Sequence, residues 1–135
     1  MADKVCGDAY NELLNDFLKG ATPPGLYFRL YSNNHTPVLN ETPGNFTELT
    51  TGNGYAGTAL TTGSWTITDT SGVLVATYPQ QTYTFTGAFT VYGYYITDSG
   101  KTKVYWAGLA AGGPFTYGAG GGLLLWSLEL DGPLS

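Results

Sequence analysis

Apolar and polar residues alternate in short segments along most of the chain after residue 25, which is the pattern of half-buried β-strands. The clearest cases are Tyr83 and Phe85, which alternate with threonines, and Trp65 and Ile67, which do the same. Clusters of Gly, Pro, Asn and Asp separate these segments, as expected for turns. The pattern predicts strands at residues 26–31, 46–49, 64–68, 73–78, 82–86, 89–97, 102–109 and 123–130, with a hairpin turn at 69–72.

The segment at residues 89–97 is apolar or aromatic on both faces of its predicted strand. Val91 lies on one face, whereas Tyr92, Tyr94 and Ile96 lie on the other. A strand of this kind is covered on both sides, either in the interior of the fold or at a subunit interface.

The N-terminal segment has helical periodicity instead. Leu13 and Phe17 belong to an apolar stripe at helical spacing, which a glycine and two prolines end. We therefore predict one short amphipathic helix and a linker over residues 1–24, followed by a mainly β domain, a β-sandwich or jelly-roll, over residues 25–135. The stripe is expected to dock on the sheet or on another protein.

Composition strengthens the assignment to the β class and describes the surface. Only 11% of the residues are charged, whereas about 25% is usual. Aromatic residues make up 15% of the chain, which also contains 20 glycines. The surface must consist largely of Thr, Ser, Asn, Gly and Tyr, which suits contacts with proteins or with sugars.

Charge and cysteine content exclude several classes of partner. Ten acidic and five basic residues give a net charge of −5, which argues against direct binding of nucleic acid. The single cysteine, Cys6, cannot form an internal disulfide. We see neither a signal peptide nor a run of about 18 apolar residues that would span a membrane. The expectation is a protein made in a cytoplasm, without a membrane partner.

Candidate catalytic groups are few. The only histidine, His35, lies in a polar loop, and we interpret it as solvated and Cys6 as incidental. The chain has one Cys and one His, too few for a structural zinc site. A calcium site needs clustered carboxylates, whereas the acids of this chain are scattered singly. Glu48 and Asp98 could form the carboxylate pair of a small carbohydrate-active enzyme, although Asp98 is also typical of a turn. We expect no enzymatic activity, no metal and no cofactor.

Two features point to contact surfaces. The uncharged, glycine-rich segment 108–122 carries Phe115 and Tyr117, and glycine allows close approach of a neighbouring backbone. It is either a flexible loop or a packed arm at an assembly contact. The aromatic residues, Trp65, Trp106 and Trp126 among them, belong either to the core and subunit interfaces or to a platform for sugars.

Four segments together resemble small structural proteins of tailed bacteriophages. They are LYSNNHTP at residues 30–37, FTELTTGNGYAG at 46–57, GSWTI at 63–67 and VYGYYITDSGKTKVYWA at 91–107. The resemblance spans most of the chain after the N-terminal segment, and the glycine-rich segment 108–122 departs from it.

The resemblance implies a component of the virion, without enzymatic activity. The first expectation is a capsid decoration (cement) protein on the surface of the head, which stabilises the shell by binding the major capsid protein and its own copies as a trimer or dimer. The alternative is a tail- or fibre-associated module that binds host glycans. The residues expected at contacts are Leu13, Phe17, Val91, Tyr92, Tyr94, Ile96, Phe115, Tyr117, Leu124 and Trp126.

Overall fold

The chain is mainly β in the computed structural model, which describes residues 25–38, 40–70 and 73–130. The strands are β1 (Leu26–Tyr31), β2 (Thr58–Leu60), β3 (Thr66–Thr70), β4 (Val73–Phe85), β5 (Phe89–Val91), β6 (Gly93–Asp98), β7 (Val104–Leu109), β8 (Phe115–Tyr117) and β9 (Gly122–Leu130). Short 3-10 turns lie at Pro43–Asn45 and Thr62–Ser64. Within these residues the strands form sheets of order β2-β1-β6-β7, β3-β4-β9 and β5-β8.

The amphipathic helix predicted for residues 1–24, with Leu13 and Phe17, lies outside the described residues. Neither 3-10 turn of the described chain is long and apolar enough to cross a membrane.

The predicted hairpin is confirmed. Strand β3 pairs with β4 in antiparallel register from Thr66 opposite Thr77 to Thr70 opposite Val73. Strand β4, however, continues through Pro79 to Phe85 and is one strand instead of the predicted two. The ladder with β3 ends at Thr77, so the missing N–H of Pro79 removes no hydrogen bond to β3.

The chain divides into two compact units, and the long strands β4 and β9 contribute to both. The first unit includes residues 61–81 and 126–130. Its core holds Trp65, which is buried and meets Tyr78 edge-on with 5.0 Å between ring centroids. The Tyr78 hydroxyl in turn accepts a hydrogen bond from the Thr61 N–H at 2.8 Å.

The second unit contains residues 25–60 and 82–125 and is built around β1. Phe28 lies opposite Ile96 and Leu30 lies opposite Tyr94, and these four side chains share the first face of the sheet. Phe28 stacks on Tyr94 at 5.5 Å and on Tyr83 at 6.3 Å. The first face is therefore covered by an aromatic core.

The second face of the same sheet carries Tyr27, Arg29 and Tyr31 from β1, with Tyr95 and Thr97 opposite them in β6. Tyr95 and Thr97 are buried, so β6 is covered on both faces, as the apolar pattern of its sequence predicts.

The segment 89–97 nevertheless forms two strands in two sheets. The break falls at Tyr92, whose N–H donates to Tyr31 O and whose carbonyl accepts from the Ala110 N–H, both at 2.9 Å. Part of the glycine-rich segment is also ordered, because β8 pairs with β5 through Phe89–Tyr117 and Val91–Phe115.

Gly93 lets the second face close over β6. A Cβ at this position would lie 2.2 Å from Gly108 O and 2.8 Å from the Tyr31 hydroxyl. Since one of these atoms belongs to a paired backbone, the clash could not be relieved by a rotamer change alone.

We expect Gly93→Ala to lower the free energy of unfolding by roughly 1–3 kcal/mol, the usual cost of overpacking. Gly44→Ala is the matched control, because a Cβ at Gly44 has no neighbour within 4 Å. Urea unfolding followed by tryptophan fluorescence measures both. Equal midpoints for the two variants would contradict the packing described.

Candidate functional site

The loop at residues 32–57 covers the second face of the β2-β1-β6-β7 sheet. It pairs with the end of β1, since the Leu49 N–H donates to Leu30 O at 3.1 Å and Glu48 forms a β-bridge with Tyr31. Paired residues point to the same face of a sheet. The Glu48 side chain therefore lies on the second face of the sheet, like that of Tyr31.

The Glu48 carboxylate is the centre of a network that we call the Glu48 brace. Arg29 Nη1 lies 3.2 Å from Oε1 and 3.1 Å from Oε2. Lys101 Nζ lies 2.7 Å from Oε1, and the Tyr55 hydroxyl donates to Oε2 at 2.7 Å. Arg29 also donates from Nε to Thr97 Oγ1 at 2.9 Å. The brace thus joins β1, β6, the loop and the turn after β6.

The electrostatics of the brace favour the charged form of Glu48. Burial would raise the pKa of Glu48, but hydrogen bonds from Lys101 and Tyr55 and the charge of Arg29 hold it below its usual value. Burial and the hydrogen bond to Glu48 raise the pKa of the Tyr55 hydroxyl. The side chains of Arg29 and Glu48 are only 13% and 14% exposed, so removing either partner would strand a charge with little water around it.

The absence of a side chain at Gly57 leaves room for the ion pair of the brace. A Cβ at Gly57 would lie 3.0 Å from Arg29 Nη1 and 3.5 Å from Glu48 Oε2. The backbone of the loop therefore passes directly against the ion pair.

A second carboxylate, Glu41, holds the loop onto itself. It accepts the Val38 N–H at 2.7 Å and Asn45 Nδ2 at 2.9 Å, and its Oε2 lies 2.8 Å from His35 Nε2. Burial would raise the pKa of Glu41, but these hydrogen bonds and the nearby His35 lower it. His35 was expected to be solvated; its side chain is instead 25% exposed and bound to Glu41.

An aromatic cluster lies under this part of the loop. Phe46 stacks on Tyr95 with ring centroids 4.5 Å apart, and His35 meets Phe46 edge-on at 5.0 Å. The Tyr31 hydroxyl donates to His35 O at 2.7 Å, whereas the buried Tyr95 hydroxyl has no hydrogen-bond partner among the described residues. Burial raises the pKa of both tyrosines, that of Tyr31 to about 12, so both are neutral near pH 7.

Asp98 stabilises the turn after β6. It accepts the N–H of Thr102 at 2.7 Å and of Lys103 at 3.0 Å, together with the Thr102 hydroxyl. Hydrogen bonds from the Thr102 hydroxyl and the Lys103 N–H lower the pKa of Asp98 to about 2. Lys101, in the left-handed region with a φ of 57°, is held by this turn and reaches Glu48.

The two acids considered for catalysis, Glu48 and Asp98, both accept hydrogen bonds from neighbouring residues of the fold. Glu48 and Asp98 are engaged by separate sets of donors, and Glu41 is engaged by a third. Across residues 25–38, 40–70 and 73–130, no group of three or more His, Cys, Asp and Glu side chains could hold a metal ion. Cys6 lies outside the described residues.

The residues expected at contacts occupy different environments. Leu13 and Phe17 are outside the described residues. The buried ones are Val91, Ile96 and Leu124, and the half-buried ones are Tyr92, Tyr94, Phe115, Tyr117 and Trp126. Of the other tryptophans, Trp65 is buried and Trp106 is half-buried. Side chains that fill the core of their own chain offer little surface to a partner.

Among the described residues the exposed large apolar side chains are Val38, Leu109, Leu123 and Leu125, none of which is among the residues expected at contacts. In β9, Leu124 and Leu128 are buried, whereas the alternate residues Leu123 and Leu125 are 58% and 51% exposed. We call Leu123 and Leu125 the outward leucines. They were missed because positions 123–126 are all apolar, so the sequence does not reveal which ones face inward.

Comparison of the chain with protein-family models, curated proteins and solved structures gave no match.

We expect Glu48→Gln to lower the free energy of unfolding by about 3 kcal/mol, because it leaves the Arg29 guanidinium without its counter-charge. Glu129→Gln, at an exposed position of β9, is the matched control and should change stability by less than about 0.5 kcal/mol. Chemical denaturation at neutral pH measures both. A loss no larger than that of the control would show that the brace does not stabilise the fold.

Acid should weaken the fold through the same carboxylates. Glu41, Glu48 and Asp98 have folded-state pKa values below their usual 4.5, 4.5 and 3.8. Their stabilisation is present above those usual values and is lost as the pH falls through the folded values, so the free energy of unfolding should fall between about pH 5 and pH 2. Denaturation at a series of pH values should give a flatter profile for Glu48→Gln than for the wild type. Parallel profiles would contradict the assignment for Glu48.

Proposed function

We propose that this chain is a non-enzymatic structural protein of the virion of a tailed bacteriophage, most specifically a capsid decoration (cement) protein. It binds the surface of the head and stabilises the shell through contacts with the major capsid protein and with its own copies. The observation that carries the proposal is the pair of outward leucines on β9. The placement on a virion rests on the sequence resemblance.

The outward leucines supply the apolar area that a stable contact requires. Leu123 and Leu125 protrude from the same face of β9, because side chains two residues apart share a face. Burying a leucine completely contributes roughly 1.5–3 kcal/mol. The underlying backbone is held, since the Tyr117 hydroxyl donates to Leu123 O at 3.3 Å and the Tyr117 ring lies over Gly122.

The low charge of the chain supports the same reading. With 11% of its residues charged, the chain can bury a large surface without stranding many ionic groups. An obligate interface typically buries about 2,000 Å² or more, which the outward leucines would share with the surrounding uncharged residues. We take a dimer or trimer as the assembled form.

The roles of the ionisable groups support a structural protein over a catalyst. A catalytic acid or base needs access to a substrate and a proton to exchange. Glu41, Glu48 and Asp98 instead accept hydrogen bonds from the loop and turn that they hold in place.

We further infer that the sheets pack as a β-sandwich or jelly-roll. Within the second unit, support comes from the stacking of Phe28 in β1 on Tyr83 in β4, because these strands belong to different sheets. The predicted N-terminal helix would add a second docking element for the shell.

The proposal predicts how the chain behaves on particles and in solution. We expect a copy number comparable with that of the major capsid protein, measured by quantitative mass spectrometry of purified particles. The double variant Leu123→Ser/Leu125→Ser should weaken self-association at least tenfold by analytical ultracentrifugation and should lower occupancy on heads. Both side chains are exposed, so the fold should be retained.

Val38→Ser is the matched control, because Val38 is 61% exposed but lies in the loop. It should associate like the wild type. Unchanged association of the double variant would refute the role of the outward leucines. A few copies per particle would favour the tail- or fibre-associated role over decoration.

A further inference from the structure

A polar groove lies within the second unit, between the loop and the residues just before and in β5. Its volume is about 540 Å³, inside the range of roughly 300–1,000 Å³ typical of small-molecule sites. We call it the threonine groove. The side chains that matter for its chemistry are those of Thr47, Thr50, Thr51, Asn53, Phe89 and Thr90.

The groove presents polar groups that the fold leaves uncommitted. The hydrogen bonds between described residues use neither the Asn53 side-chain amide nor any of the hydroxyls of Thr47, Thr50, Thr51 and Thr90. Each hydroxyl can donate one hydrogen bond and accept others, and the amide can do both. Such a set matches a ligand that also carries hydroxyl groups along its edges.

The wall around Asn53 is fixed before any ligand arrives. Asn53 has a φ of 50°, and its carbonyl accepts the Thr86 N–H at 2.9 Å. A Cβ at the neighbouring Gly54 would lie 2.0 Å from Thr84 O, so the turn is pressed onto β4. Binding of a ligand would therefore cost little conformational entropy at this wall.

One aromatic ring borders the polar groups. Phe89 is half-buried, and its ring is held by Phe85 at 4.8 Å and by Tyr55 at 6.4 Å. A pyranose has an apolar C–H face and polar edges, so it can lie against such a ring while its hydroxyls reach the threonines. A peptide anchor would instead need a deep apolar pocket, and the aliphatic side chain there, Leu49, is only 4% exposed.

The charge of the groove indicates a neutral ligand. Glu48 also lines it, but both of its oxygens are already bound by Arg29, Lys101 and Tyr55. No lysine or arginine of the described chain lines the groove, so nothing there would compensate an acidic sugar.

We propose that the threonine groove binds a neutral saccharide, a mono- or disaccharide unit, with the ring against Phe89 and its hydroxyls on the threonines and Asn53. The inference is independent of the decoration role, since it rests on the groove alone. It also differs in place from the tryptophan platform considered for sugars.

The test uses the full chain and defined probes. An array of neutral mono- and disaccharide glycosides, with sialylated and sulfated glycans as acidic probes, identifies a ligand. Titration of the ¹⁵N-labelled protein with the best neutral glycoside should then give saturable shifts at the amides of Thr50, Thr51, Asn53 and Thr90. Thr50→Val and Thr51→Val each remove one hydroxyl with little change of shape and should weaken binding about tenfold.

Two matched controls separate binding from folding. Ala88→Trp fills the groove from an exposed position and should abolish binding, whereas Ala119→Trp, at an exposed position outside the groove, should not. Thr116→Val, exposed on β8, is the control for the threonine variants. The amide spectrum of each variant reports whether it is folded.

Several outcomes would overturn the proposal: no binding to any neutral glycoside, shifts that map outside the groove, stronger binding of acidic probes, or equal binding by Ala88→Trp and Ala119→Trp. Saturable binding of a threonine-rich peptide in place of sugars would also overturn it. None of these outcomes bears on copy number or self-association, so the decoration role is judged separately.

Discussion

The ion pair between Arg29 and Glu48 determines how the loop after β1 lies on the four-stranded sheet. Arg29 lies on the second face of that sheet, where a guanidinium would be costly to bury alone. The Glu48 carboxylate balances the charge of the guanidinium, and it also accepts hydrogen bonds from Tyr55 and Lys101. Once Glu48 is fixed, Phe46 is brought over Tyr95 on the same face. The second face of the sheet carries both polar and apolar side chains, and the loop covers it.

Local patterns predicted the parts of the fold that local interactions determine. Strand β1 and the β3–β4 hairpin follow from alternation and from turn residues a few positions apart. The change of sheet at Tyr92 could not be predicted, because it depends on hydrogen bonds to Tyr31 and Ala110, which are distant in sequence. The order in the glycine-rich segment has the same origin, since β8 is stabilised by pairing with β5.

In the candidate sites, too, only the contacts between residues close in sequence could be predicted. Asp98 could be assigned to a turn because its partners, Thr102 and Lys103, follow it directly. The role of Glu48 could not be predicted because its two cationic partners, Arg29 and Lys101, lie 19 and 53 residues away in sequence. The threonine groove left no signal, since exposed threonines on a β-rich chain are common. The brace is formed by Arg29, Glu48, Tyr55, Thr97 and Lys101, which come from separate parts of the chain. The aromatic cluster beside it is formed by Tyr31, His35, Phe46 and Tyr95.

The Glu48 brace also has consequences for the order of folding. Glu48 is separated by 19 residues from Arg29 and by 53 residues from Lys101. We expect contacts of such long range to form late in folding, because closing large loops costs the chain conformational entropy. Interactions that are absent from the transition state slow unfolding more than they speed folding. The brace should therefore extend the lifetime of the folded chain more than it accelerates folding.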